Sequence, residues 1–223
     1  MKKILLATAL FLCVNSTFAA ETAILKIKGT LTASACTPEF SNGGVVDYGN
    51  IRLGELSSTA VNQLGQRNID LTITCTAATK VAWNMIDDRA DSNAGLTVSA
   101  GTFTGGEQSA TNQTYGVGKA GTVNIGSYAM FMKVNSVTAD GKSVDPIYQQ
   151  NGSTTWAKST DGSSQGENNR NITVALAGSI DPLAFQTATF PLVTSLAIQN
   201  TTTLAITDDT RLDGQLTISL KYL

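Results

Sequence analysis

The side chains with the widest covalent reach in this sequence are its three cysteines, Cys13, Cys36 and Cys75, and there is no histidine among its 223 residues. The missing imidazole excludes Ser-His-Asp and Cys-His nucleophile systems and every zinc site that needs a histidine. Asp87, Asp88, Asp91 and Asn93 cluster as a calcium loop might, but Arg89 occupies the third position and no glutamate closes the pattern. A solvated turn is expected there, and Asp208, Asp209 and Asp213 are expected to flank loops before the last strand. No carboxylate pair stands out for glycoside hydrolysis. Trp83, Trp156, Tyr115 and Tyr148 are the side chains that could stack on sugar rings, although packing is the commoner use of so few aromatics. Tyr115-Gly116-Val117-Gly118 lacks the Lys-Ser/Thr of a phosphate loop. The expectation is a protein with no catalytic residues, no metal site and no cofactor, not an enzyme.

Composition points away from the cytoplasm. Charged residues make up 14%, against roughly 25% in an average soluble domain. Threonine, serine and asparagine number 31, 18 and 15, which favours strands and polar loops over helices. Lys+Arg 15 against Asp+Glu 17 leaves no basic footprint, so no nucleic-acid partner is expected. Residues 1–19 read as a secretory signal peptide: Lys2 and Lys3, an apolar run from Ile4 to Val14, then Thr17-Phe18-Ala19 before the cleavage point. No later apolar stretch approaches the length of a membrane span. Cleavage removes Cys13 and leaves Cys36 and Cys75, 39 positions apart. A lone pair in an exported chain reads as one disulfide. Closing that loop is worth about 4 kcal/mol on chain-entropy arithmetic.

Strand patterns recur along the chain, and no long 3.6-residue apolar period appears. Ala23, Leu25 and Ile27 alternate with Ile24, Lys26 and Lys28. Ile69, Leu71, Ile73 and Cys75 alternate with Asp70, Thr72 and Thr74, the period of a half-buried strand. Residues 31–36, 45–49, 81–86, 123–134 and 171–176 also read as strands. Asp140-Gly141 is a hairpin turn by composition. Asp213-Gly214 precedes a cleanly alternating final run, Leu216-Thr217-Ile218-Ser219-Leu220-Lys221-Tyr222. The stretch from 87 to 166 is looser, with Gly, Ser, Asn and Thr clustered at 102–113 and 152–169. A terminal amphipathic strand must be paired, or its polar backbone edge becomes an association site.

The segment Ile27-Lys28-Gly29-Thr30-Leu31-Thr32-Ala33-Ser34-Ala35-Cys36 resembles the start of a chaperone–usher pilin domain. The ending Leu216-x-Ile218-x-Leu220-x-Tyr222-Leu223 resembles the pilin carboxyl-terminal strand. Ala35-Cys36-Thr37-Pro38, Val46-Asp47-Tyr48-Gly49, Leu71-Thr72-Ile73-Thr74-Cys75, Phe190-Pro191-Leu192 and Leu212-Asp213-Gly214-Gln215 are similar to a fimbrial-like periplasmic family that includes GltF. The likeness covers both ends well and the middle thinly.

The resemblance implies an immunoglobulin-like, pilin-type β-sandwich lacking its final strand, with one disulfide. It further implies an exported structural subunit that contributes to cell adhesion and is completed by an inserted strand from a periplasmic chaperone or another fimbrial subunit. An outer-membrane usher would be a further partner, the location would be the periplasm or a fimbria on the cell surface, and a host or surface glycan would be the receptor. The groove strand would present Leu216, Ile218, Leu220 and Tyr222 inward, with the Leu223 carboxylate meeting basic chaperone residues. The donor face would be Ala23, Leu25 and Ile27 within an extension over residues 20–28, followed by the sandwich at 29–223 with a variable segment around 87–166. Nine residues before Gly29 are few for a donor strand, which fits a terminal, minor or non-polymerising subunit. A soluble periplasmic module that binds a carbohydrate through the middle segment is the alternative.

Overall fold

A computed structural model describes residues 25–29 and 35–223. The chain divides into Met1–Ala33 and Ser34–Leu223. Within the first unit, residues 25–29 carry no regular secondary structure and Leu25 and Ile27 are exposed. Ala23, the other member of the expected donor face, lies outside the described residues, as does most of 31–36.

The second unit is all-β. Its strands are β1 (Cys36–Phe40), β2 (Asn62–Thr79), β3 (Val81–Asp87), β4 (Tyr115–Gly116), β5 (Lys119–Ala120), β6 (Val123–Asn124) and β7 (Gly126–Met132). They continue with β8 (Thr138–Ala139), β9 (Lys142–Ser143), β10 (Asp145–Gln150), β11 (Ala157–Lys158), β12 (Arg170–Ala175), β13 (Phe185–Ile198) and β14 (Leu216–Tyr222). A single α-helical turn, α1 (Thr201–Leu204), is capped by the Asn200 side chain. Among the described residues no helix is long and apolar enough to cross a membrane.

Two antiparallel sheets pack face to face. The first runs β1-β2-β13-β7-β4, with β8 and β9 attached beside β13, and the second runs β11-β10-β12-β3-β14. The alternation that marks residues 69–75 sends Ile69, Leu71 and Ile73 inward from β2. They meet Val81, Trp83 and Met85 of β3 and Ile172 and Val174 of β12. Trp83 and Phe190 touch edge to face between the sheets, ring centroids 5.7 Å apart. The expected hairpin turn forms between β8 and β9, with Asp140 and Gly141 both left-handed (φ 49° and 74°), the conformation a tight two-residue connection demands.

The loose stretch at 87–166 is woven into both sheets, supplying β7 to the first and β10 to the second. Its loops also cover the outer side of the first sheet. Val98 and Leu96 pack with Ala129 and Ala197, while Gln66 and Ser195 both donate to the Ala100 carbonyl at 2.9 Å. Every residue of β13 from Leu192 to Ile198 is therefore buried. Residues 45–49, expected as a strand, carry no regular secondary structure, and Gly49 turns left-handed (φ 70°). Tyr48 anchors that segment through its hydroxyl to Thr194, and it covers a second apolar cluster of Val117, Ile125, Leu196, Ile198 and Leu204.

Candidate functional site

The last strand lies at an edge. β14 pairs with β3 in a continuous antiparallel register from Leu216↔Asp87 to Tyr222↔Val81. Among the described residues no strand pairs with its other side. β1 lies at the neighbouring edge of the first sheet and pairs only with β2. The two edge strands meet at one point: the Cys36 backbone N–H donates to the Tyr222 hydroxyl at 2.8 Å. Between them runs a seam at which the sandwich stays open. Seven residues of β14 at ~3.4 Å per residue give it a length of ~24 Å.

Alternation makes the seam apolar inside. Leu216, Ile218 and Leu220 point to the core and are half-buried against it, while Thr217, Ser219 and Lys221 face out. Across the seam Cys36, Phe40 and Val46 are likewise packed on the core but incompletely covered. Beneath them Trp83, Met85, Leu71 and Ile73 are fully buried. Tyr222, expected inward with its neighbours, is 52% exposed; it lies at the strand's end, where its hydroxyl is spent on Cys36. Leu223 donates its N–H to the Lys80 carbonyl at 3.0 Å.

The seam is held by covalent and polar ties at its margins. Cys36 and Cys75 are bonded, as the pairing of the two remaining cysteines leads one to expect, and they sit opposite each other in the β1–β2 register. At the other end, Arg89 grips Asp213 through Nε and Nη2 at 2.9 and 3.3 Å. Thr217 donates to Asp88 at 2.8 Å, and Asp88 donates its own N–H to the Gln215 carbonyl at 3.0 Å. The aspartates expected in a solvated turn thus divide their work. Asp88 and Asp213 fasten the entrance of β14, and Asp91 pairs with Lys119 at 3.0 Å, which holds its carboxyl below the usual range. Asp87 departs from the expectation: it is buried, and its carboxylate accepts N–H bonds from Arg89 and Gly116, each at 2.9 Å. Burial pushes its pKa up, those two bonds notwithstanding. The sequence signal for this role was weak, because the partner Gly116 lies in a segment without strand periodicity.

Three of the four candidate aromatics, Trp83, Tyr115 and Tyr148, serve packing, and Trp156 is half-buried just before β11. Trp83 and Tyr115 are fully buried, and the Tyr115 hydroxyl bonds Ser164 at 3.0 Å; burial raises its pKa. Arg170 lies 4.1 Å over the Tyr148 ring. Among the described residues no group of three or more Cys, Asp or Glu side chains is placed to hold a metal ion. Nothing in the seam arranges a nucleophile beside a base. What it offers is a row of unpaired backbone groups beside an apolar furrow, a surface suited to another strand.

Comparison with known proteins gives consistent relatives. A family model described as "Protein of unknown function (DUF1120)" matches residues 25–129. In Escherichia coli K12, the protein named "Uncharacterized protein YhcF" is 33% identical over 237 aligned positions, covering 99% of this chain and 98% of that protein. Protein GltF of the same organism is 32% identical over 222 positions, covering 89% of this chain and 87% of GltF.

Proposed function

The chain belongs to the family that YhcF and GltF represent, and on that footing we propose that it is an exported fimbrial-like structural subunit that works by accepting a strand and performs no chemistry. The observation that carries this reading is the outer edge of β14, unpaired among the described residues, above a half-buried apolar stripe. A soluble sandwich normally protects such an edge with charges, bulges or a covering segment. Here the strand is regular over all seven residues, and the single outward lysine, Lys221, is near its end.

An added strand would gain ladder hydrogen bonds, each worth about 1 kcal/mol net, and would seal Leu216, Ile218 and Leu220 from water. A periplasmic chaperone supplies that strand in this reading, and another fimbrial subunit replaces it during assembly through an outer-membrane usher. The protein's own donor face is Ala23, Leu25 and Ile27. The location that follows is the periplasm, then the cell surface, with adhesion as the outcome.

The test is hydrogen exchange on β14. In the isolated mature chain, those amides of Leu216–Tyr222 that do not bond to β3 should exchange rapidly, and co-expression with a chaperone should protect them in a 1:1 complex. Full protection in the isolated chain, with no complex formed, would refute the proposal.

A further inference from the structure

A second feature stands apart from strand pairing. We propose that the half-open cavity bounded by the end of β3, the loops at 93–95 and 111–112 and the turn at 166–169 is a ligand site for a small polyhydroxylated molecule bearing an ammonium group, the chemistry of an unacetylated amino sugar. The cavity has a volume of about 490 Å³, within the range of small-molecule sites, roughly 300–1,000 Å³. Its polar wall is Asp87, Asn93, Asn112, Tyr115, Glu167 and Asn169.

These side chains fall into two groups. Some are fully engaged and build the frame. Asn93 donates to the Thr114 carbonyl at 2.7 Å and accepts from Gly95 N–H and the Ser127 hydroxyl. Tyr115 is held by Ser164, and Asp87 by its two backbone donors. Others are uncommitted: among the described residues, the side chains of Thr111, Asn112, Glu167 and Asn169 have no hydrogen-bond partner, although all four line the cavity.

The backbone that carries Asn112, Glu167 and Asn169 is fixed, while Thr111 and Glu167 reach solvent. Gly166 N–H donates to the Asn112 carbonyl at 2.9 Å, Asn169 N–H to Gly166 at 3.0 Å and Asn168 N–H to Met85 at 3.0 Å. Glu167 and Asn168 are both left-handed (φ 56° and 54°), a conformation that disfavours a glutamate and that sets this one at the cavity. Gly166 lies close against the Tyr115 ring, where a Cβ would be crowded at 3.1 Å.

Charge selects the ligand. Among the described residues no cation lines the cavity: Arg89 pairs with Asp213, Lys119 with Asp91, and Arg170 is taken up by Ser163 and the Tyr148 ring, so no described ion pair neutralises Asp87 or Glu167. Two carboxylates facing one cavity favour an ammonium group, and primary amides present a donor and an acceptor side by side, which matches vicinal hydroxyls. The inference does not depend on strand addition at β14.

The test is a titration of the full mature chain with glucosamine, followed by calorimetry and amide chemical shifts. Glucose and N-acetylglucosamine, which lack the ammonium group, and ethanolamine, which lacks the ring hydroxyls, are the comparators. Saturable glucosamine binding in about the millimolar range is expected, about tenfold weaker for each comparator. Shifts should centre on residues 111–115 and 166–169. Glu167→Gln and, separately, Asn112→Ala should each weaken binding about tenfold at unchanged melting temperature. Absence of saturation by wild-type protein at about 50 mM, some tenfold above that range, would overturn the proposal. So would equal affinity for glucose, or unchanged binding in both variants.

Discussion

Placing an aspartate at Ile218 and, in a separate variant, at Ser219 tests the two faces of β14 against each other. The residues are adjacent and belong to the same strand, but Ile218 is half-buried on the core opposite Met85, and Ser219 faces outward. In the free protein, Ile218→Asp removes a partly covered side chain. Full burial of an isoleucine is worth about 1.5–3 kcal/mol, so about 1 kcal/mol is at stake, and the new carboxylate still reaches water through the open seam. With a strand laid across the seam the same carboxylate is enclosed without a partner. An unpaired buried charge costs about 3 kcal/mol or more, which is about 150-fold in affinity. Ser219→Asp should change stability and binding by no more than about 0.5 kcal/mol. Urea unfolding of each variant gives the first quantity. Fluorescence anisotropy of a labelled peptide spanning residues 20–28 gives the second, with Trp83, which pairs with Leu220, as an intrinsic reporter. The reasoning fails if both variants lose binding equally, if Ile218→Asp binds as tightly as wild type, or if the peptide does not bind the wild-type seam.

Three further outcomes follow from particular contacts. Replacing both Cys36 and Cys75 with alanine should lower stability by about 4 kcal/mol on the loop-closure estimate, read as a shift in the urea midpoint; a shift under about 1 kcal/mol would contradict it. Gly116→Ala would set a Cβ 2.0 Å from the Arg89 carbonyl oxygen and 2.4 Å from Ser92 Oγ, so it should destabilise by about 2 kcal/mol or more, whereas Gly121→Ala meets no atom within 4 Å and pays only for its positive φ, about 1 kcal/mol. Asp145 accepts from Lys158 Nζ at 2.7 Å and from Gly178 N–H at 2.8 Å, which holds its carboxyl below the usual value. A depressed folded-state pKa stabilises above the unfolded value near 3.8 and is lost as pH falls through the folded one. Asp145→Ala should therefore cost about 1 kcal/mol at pH 7 and lose most of that difference in melts at about pH 2.

The parts of this fold that were legible in the sequence are those whose periodicity matches their burial. Ile69–Cys75 and Leu216–Tyr222 alternate because one face of each meets the core, and the structure places both as strands. Asp140-Gly141 was legible because its turn needs left-handed residues. The centre of the first sheet was not. β13 is covered on both faces from Leu192 to Ile198, which erases alternation, and its other half carries Pro191, a residue that argues against a central strand. Pro191 is accommodated opposite Asp70 on β2. The seam was legible through the alternation of Leu216–Tyr222, which gives one strand an apolar and a polar face. The cavity was not, because Asp87, Asn112 and Glu167 are separated along the chain and only β3–β4 contacts and the 166–169 turn bring them together.

The order of strands in the two sheets bears on when the molecule can fold. β2 lies between β1 and β13 in one sheet and β3 between β12 and β14 in the other, so neither of these early strands has both neighbours until the last quarter of the chain has arrived. Pairings this distant along the chain make folding slow. As the chain is made from its N-terminus, only residues 71–75 of β2 can find a partner, in β1, and the rest of 62–87 waits as β-prone, unpaired chain, exposed to aggregation. The one durable link available in that interval is Cys36–Cys75, since both ends of it and the whole β1–β2 register lie within the first 79 residues. Oxidation can set the register of the first two strands while the rest of the sequence is still to come.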